Sequence, residues 1–211
     1  MFLDWILLTS FQPKPGTPWK TPLGLPCFLT LKDLKSKTKK PPKKTALKHN
    51  PSFMNYKVGF GFDVHQLKEG EPFVLGGITI PHEKGSFGHS DGDALIHAIC
   101  DALLGAANLG DIGQHFPDTS REFKDIDSKI LLKKVAVLLE ERDYKIGNID
   151  VTICLEKPKV NPFIPKMKSA LCRVLNMGTD NLSIKATTNE KMGFIGRQEG
   201  IGVHAVTLIY S

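Results

Sequence analysis

The chain has 211 residues and a formal net charge of +6, unevenly placed: residues 1–57 hold 11 Lys and 2 Asp, and the rest 17 basic and 20 acidic residues. The part able to fold is therefore mildly acidic, which argues against a nucleic-acid-binding domain and against reading function into the global charge. Cys27, Cys100, Cys154 and Cys172 lie far apart with no CxxC pair, which speaks against a disulfide framework or a cysteine metal site and for reduced thiols in a cytoplasmic compartment.

Residues 1–53 read as a basic, Pro- and Lys-rich extension outside the domain, which runs from 54 to 211. No stretch reaches the roughly 18 apolar residues that crossing a membrane needs. Asp4 precedes the apolar start where a signal peptide carries positive charge, and the extension has no Arg, which suits a transit peptide poorly. The plainest expectation is a translated stretch ahead of a start at Met54. A disordered tail, or a targeting segment leading to a plastid-type organelle, are the alternatives.

Tyr56 to Val64 predicts a strand that delivers Asp63 and His65 to its end on one face, because side chains alternate along a strand. Phe73–Leu75 and Ile78–Ile80, joined by Gly76-Gly77, predict a hairpin. A helix is expected over about 91–107, capped by Ser90 or Asp91, with His97 one or two turns inside it and His89 and Ser90 ahead of its positive end, where an anion is favoured.

Residues 108–126 form a long loop of little periodicity, and such loops in compact domains are often functional. Ser128 to Glu141 reads as an amphipathic packing helix, Ile149 to Leu155 as a buried strand, and Asn161 as the cap of a helix reaching about Asn176. Leu182–Thr188 and Ile201–Tyr210 are two further strands. This order predicts an α+β fold, a mixed sheet covered on one face by about three helices. Several strands are apolar on both sides, so either the sheet is small or its second face is buried in an oligomer.

Two imidazoles and a carboxylate, on His65, His97 and Asp63, suit zinc: they fill three tetrahedral positions and leave the fourth for a ligand. Asp101, one helical turn after His97, is expected to orient its ring. Thr187, Thr188, Asn189 and Glu190 end a strand with hydroxyls and a carboxylate, groups that suit phosphate oxygens and a hard divalent ion. The plainer reading of each is a hydrogen-bonded half-buried histidine and an ordinary strand-end turn.

Jointly, Gly61-Phe62-Asp63-Val64-His65, His89-Ser90-Asp91-Gly92-Asp93 with His97, Asp101 to Ala107, Asp111-Ile112-Gly113, Phe116-Pro117-Asp118-Thr119 and Lys185-Ala186-Thr187-Thr188 with Glu190-Lys191 resemble the 2-C-methyl-D-erythritol 2,4-cyclodiphosphate synthases of the non-mevalonate isoprenoid pathway. The resemblance spans about residues 56–210. It implies a metal-dependent enzyme, a phosphorus–oxygen lyase, that cyclises 4-diphosphocytidyl-2-C-methyl-D-erythritol 2-phosphate and releases CMP.

It further implies one zinc per chain on Asp63, His65 and His97, and a second divalent ion, Mg2+ or Mn2+, on Glu190. His89 and Thr188 would stabilise the transition state, with Ser90 and Asn189 beside the phosphates. Asp111, Ile112 and Gly113 with Phe116, Pro117, Asp118, Thr119 and Ser120 would hold the methylerythritol end. Residues 155–161, with Pro158 and Lys159, would hold the cytidine together with Ala186 and Thr187. Asn189 replaces a Thr frequent in the family, which touches one phosphate contact.

By the same resemblance the assembly is a homotrimer with active sites between subunits, and Phe194, Arg197 and Glu199 lie where isoprenoid diphosphates would bind on its axis. A zinc-dependent phosphohydrolase is the rival from the same ligands, but it needs a general base that cannot be assigned. A nucleic-acid module needs basic residues on the folded part.

Overall fold

The computed structural model describes residues 54–211, and the expectations for residues 1–53 lie outside the described residues. The elements run β1 (Tyr56–Glu69), β2 (Val74–Leu75), β3 (Ile78–Thr79), β4 (Lys84–Phe87), α1 (Ala94–Ala106), α2 (Ile112–His115), α3 (Ser128–Glu140), β5 (Lys145–Cys154), α4 (Ile164–Leu175), β6 (Leu182–Thr187), α5 (Gly193–Gly196) and β7 (Gly200–Tyr210). Five strands make one mixed sheet in the order β4-β1-β7-β5-β6, with β5 and β6 parallel and the other neighbours antiparallel. α1 lies on β1 and β7, α4 lies on β6, and α3 packs against both helices, so the α+β arrangement expected from the sequence is present.

Alternation assigns the faces. In β1 the residues Gly59, Gly61, Asp63, His65 and Leu67 point toward the helices, while Val58, Phe60, Phe62 and Val64 stand on the other face, exposed. Ile201, Val203, Ala205 and Ile209 of β7 and Ile149, Val151 and Ile153 of β5 join the helices in the core. The opposite face of the sheet has no layer of its own among the described residues; Phe62 stacks there on His204 with ring centroids 4.6 Å apart.

Three boundaries differ from expectation. β1 runs on to Glu69 because Gln66 to Glu69 pair with β4, a strand that Lys84-Gly85-Ser86-Phe87 does not announce by alternation. The cap of α1 is Asp93, not Ser90 or Asp91: its carboxylate accepts from Ile96 N at 3.1 Å. The same carboxylate takes the N–H groups of Gly76 and Gly77 at 2.9 and 2.6 Å, and both glycines have positive φ, so one buried side chain fixes the β2–β3 hairpin and the start of α1 together. Asn161 does not cap a helix; a short 3-10 turn over Asn161–Phe163 leads into α4 without a side-chain cap.

Candidate metal centre and active site

Asp63 and His65 leave β1 on one face, and His97, on the second turn of α1, meets them from above. Nδ1 of His65 lies 2.9 Å and Nδ1 of His97 3.1 Å from the same oxygen, Asp63 Oδ2. One ligand atom from each of the three residues lies within 4.8 Å of the others, a cluster able to hold a metal ion.

The fit has a specific sign. His65 Nδ1 is buried and makes no aligned hydrogen bond despite its closeness to Asp63. A buried ring nitrogen without a partner costs free energy, and a cation between the three donors would satisfy it. Burial alone pushes the Asp63 carboxyl up, but the two imidazoles set against it, His65 at 2.9 Å and His97 at 3.1 Å, outweigh it and hold the group well below the usual carboxylate range. Burial pushes His97 down, yet the Asp63 hydrogen bond and the charges of Asp63, Asp93 and Asp91 outweigh this and raise it.

The outer nitrogen of His97 is also engaged: Nε2 lies 3.1 Å from Ser90 Oγ and 3.0 Å from Ser128 Oγ. Asp101 makes no hydrogen bond to this ring, contrary to expectation; its Oδ1 instead accepts from Ile112 N at 2.7 Å and anchors α2. Ser128 was legible only as the start of a packing helix, and its sequence distance from His97 hid the contact.

His89 is exposed and donates from Nε2 to the Ser120 carbonyl at 3.2 Å, so the expected anion-binding histidine and the 116–120 loop are neighbours. Asp111 caps α2 through Gln114 N, Ile112 and Gly113 form that turn, and Phe116 packs edge-on against Phe123. Pro117, Asp118 and Thr119 are exposed beside them.

Of the remaining expected residues, those around the end of β6 lie at the other edge of the sheet, while those on and after α5 lie at the start of β7. Thr188 Oγ1 donates to Glu190 Oε1 at 3.2 Å, Asn189 N donates to Glu156 Oε2 at 3.3 Å, and Ala186 and Thr187 end β6 beside the turn that carries Pro158 and Lys159. Glu190 and Lys191 both adopt positive φ, unusual for side chains with a Cβ. Phe194 lies exposed on α5, and Arg197 is paired with Glu199 through two bonds of 2.9 and 3.0 Å.

A two-layer α+β chain with a carboxylate and two imidazoles converging where a strand meets a helix defines a protein of the candidate metal-centre class. The chain belongs to the YgbB family, whose sequence model matches residues 56–210. It is 61% identical over 156 residues to a protein of Bacteroides fragilis named 2-C-methyl-D-erythritol 2,4-cyclodiphosphate synthase, covering 74% of this chain and 98% of that one. A relative of the same name from Porphyromonas gingivalis is 55% identical, over 73% of this chain and 95% of its own length. Among solved structures, the bifunctional IspDF of Campylobacter jejuni is similar at a TM-score of 0.73 and 40% identity, over 75% of this chain but 43% of that larger one. A CDP complex of Plasmodium falciparum IspF is similar at a TM-score of 0.66 and 32% identity, over 75% of this chain and 97% of that one.

Among the described residues, no helix is long and apolar enough to cross a membrane.

Proposed function

We propose that this chain converts 4-diphosphocytidyl-2-C-methyl-D-erythritol 2-phosphate to 2-C-methyl-D-erythritol 2,4-cyclodiphosphate with release of CMP, an intramolecular phosphoryl transfer in isoprenoid precursor biosynthesis. The observation that carries this reading is the Asp63, His65 and His97 cluster, found in a chain that covers 98% of a relative of that name.

Asp63, His65 and His97 would hold one zinc, leaving its fourth position for a ligand, and Glu190 a second divalent ion, Mg2+ or Mn2+. Cations held there draw charge from phosphate oxygens. The chain's own groups do the rest by positioning. His89 and Thr188 donate to phosphate oxygens, assisted by Ser90 and Asn189. Asp111 to Gly113 and Phe116 to Ser120 enclose the methylerythritol end. Pro158, Lys159, Ala186 and Thr187 receive the cytidine.

These groups stand apart within one chain. Val64, Gly202, Cys154 and Thr187 form one cross-strand row, so Thr187 is three strand spacings, about 14 Å, from β1. A homotrimer that brings the β6 edge of one subunit to the β4–β1 side of the next joins the two halves and covers the exposed Val58, Phe60, Phe62, Val64 and Val206. Residues 1–53 are proposed to lie outside the catalytic domain. Incubating the pure protein with the diphosphocytidyl substrate and both metals tests the reading: equimolar CMP and cyclic diphosphate, seen by 31P NMR, are expected, and their absence overturns it.

A further inference from the structure

The rim of the metal cluster carries a hydrogen-bond chain whose polarity can be worked out donor by donor. Ser128 opens α3 and is buried at 0% exposure. Its Oγ lies 2.5 Å from Asp91 Oδ1 and 3.0 Å from His97 Nε2, and its backbone N–H donates to Asp91 Oδ2 at 3.0 Å. A hydroxyl has one proton, and an ionised carboxylate only accepts. The Ser128 proton is therefore spent on Asp91, and toward His97 the hydroxyl is left as an acceptor.

Ser90 gives no contrary instruction. Its Oγ accepts from Gly92 N at 3.3 Å, can turn its own proton to Ser128 Oγ at 3.5 Å, and so keeps a lone pair for His97 Nε2 at 3.1 Å. Both hydroxyls then face Nε2 as acceptors, so Nε2 keeps its proton, and the Nδ1 proton, which faces Asp63 Oδ2 at 3.1 Å in this structure, is the one a cation displaces.

We propose that Ser128 and Asp91 are positioning residues that act through His97: the Asp91–Ser128 bond fixes the proton on Nε2 and so presets Nδ1 as the ligating atom. The proposal rests on the reading that Asp63, His65 and His97 bind a metal. It also ties that centre to the loop before α3, because Asp91 N donates to Ile126 O at 3.1 Å and Asp125 N to His89 O at 2.8 Å. The segment holding His89 and the segment ending in Ser128 are thus laced together along their backbones.

Substitution separates polarity from mere packing. Ser128→Ala removes the acceptor and leaves the ring nitrogen short of one partner; an outer partner of this kind is worth about 10- to 100-fold in metal affinity. Asp91→Asn puts an NH2 group on Ser128 Oγ when the amide oxygen serves the Ser128 N–H. The serine proton is then free to turn toward His97, which favours the opposite tautomer, so Asp91→Asn should lose more affinity than Ser128→Ala. With the hydroxyl absent Asp91 has no proton to orient toward or away from His97, and its bond to the Ser128 N–H is kept by the amide oxygen of the Asn variant, so the double variant should bind metal as Ser128→Ala alone does.

The experiment is competition between the full chain and a chelator for Zn2+ and for Co2+, with secondary structure followed by circular dichroism. Long-range 1H–15N NMR of the unsubstituted zinc-loaded protein provides a readout that needs no variant. Expected are Nε2 protonated with Nδ1 on the metal, a 10- to 100-fold weaker Ser128→Ala, and a non-additive double variant. Metal on Nε2, parent-like affinity in Ser128→Ala, or losses that simply add overturn the positioning role. An unsubstituted chain that takes up neither metal overturns the metal reading itself, a distinct result.

Discussion

Gly61 lies so close beneath Ala98 that a Cβ on the glycine would fall 2.0 Å from the Ala98 carbonyl oxygen, and Gly59 stands to Ala102 in the same relation at 1.9 Å. Strand and helix therefore touch backbone to backbone. Two strand residues advance about 6.6 Å and four helix residues about 6 Å, so the two elements stay nearly in step, and the next inward residue, Asp63, falls under the preceding turn, which carries His97. The glycines set the height at which the imidazole meets the carboxylate.

Gly61→Ala is expected to cost about 3 kcal/mol or more, the upper end of overpacking penalties, since the obstacle is a helix carbonyl and not a flexible side chain. It should also weaken metal binding by lifting His97 from Asp63. Urea unfolding and chelator competition check both, and a fully stable variant would show that α1 shifts freely.

Stability of the metal-free protein should pass through a maximum in mild acid. Asp63 is held below its ordinary range, so its contribution is present above about pH 4 and lost as pH falls through the lowered value. His97 is raised, so its contribution is complete below about pH 6.5 and lost as pH rises through the raised value. Zinc requires the deprotonated nitrogen, and adding it should move the optimum upward. Melting temperatures from pH 4 to 9, with and without zinc, give the test; coincident profiles would contradict it.

The legibility of this site from sequence follows physical range. Alternation was enough to put Asp63 and His65 on one face, and helical spacing to put His97 on α1. The choice among Ser90, Asp91 and Asp93 as the cap was not legible, because all three side chains can accept from a first turn and only the Gly76-Gly77 hairpin decides for Asp93. Ser128 was invisible because its partners are 31 and 37 residues away. β4 was missed because its pairing with the polar end of β1, not its own pattern, makes it a strand.

The open sheet face predicts an assembly. Val58 is 68% and Phe60 62% exposed in the single chain, with Phe62, Val64 and Val206 around them, a contiguous apolar surface of the kind that marks an interface. Light scattering should return about three times the 23.3 kDa chain mass. Phe60→Glu should return the mass of one chain and abolish turnover, because Thr188 and Glu190 would no longer reach a neighbour's His89. An active monomer would refute the site between subunits.

A chain that begins at Met54 should retain full folding and turnover, since the family match begins at residue 56. Circular dichroism and CMP release compare it with the full chain, and loss of either would assign residues 1–53 a role in the domain.

The chemistry itself makes the sharpest prediction. In the proposed reaction the 2-phosphate of the substrate attacks the diphosphate phosphorus nearer the methylerythritol, and CMP departs. The cluster offers no activated protein nucleophile: Ser128 Oγ is committed to Asp91, and Ser90 Oγ faces His97 Nε2, which the Asp91–Ser128 bond keeps protonated and unable to act as its base. The rate must come from holding nucleophile and phosphorus in one molecule, which can be worth several kcal/mol, and from donors aimed at developing charge. His89, whose Nε2 is occupied in this structure only by the Ser120 carbonyl, can leave that exposed contact for a phosphate oxygen. His89→Ala should therefore lower kcat by about 10²- to 10³-fold and change KM much less, the signature of a donor used mainly in the transition state. Turnover in 18O-labelled water should leave both CMP and the cyclic diphosphate unlabelled. Label in CMP or in a linear methylerythritol phosphate would show that water, and not the 2-phosphate, had attacked, and the protein would then be a hydrolase.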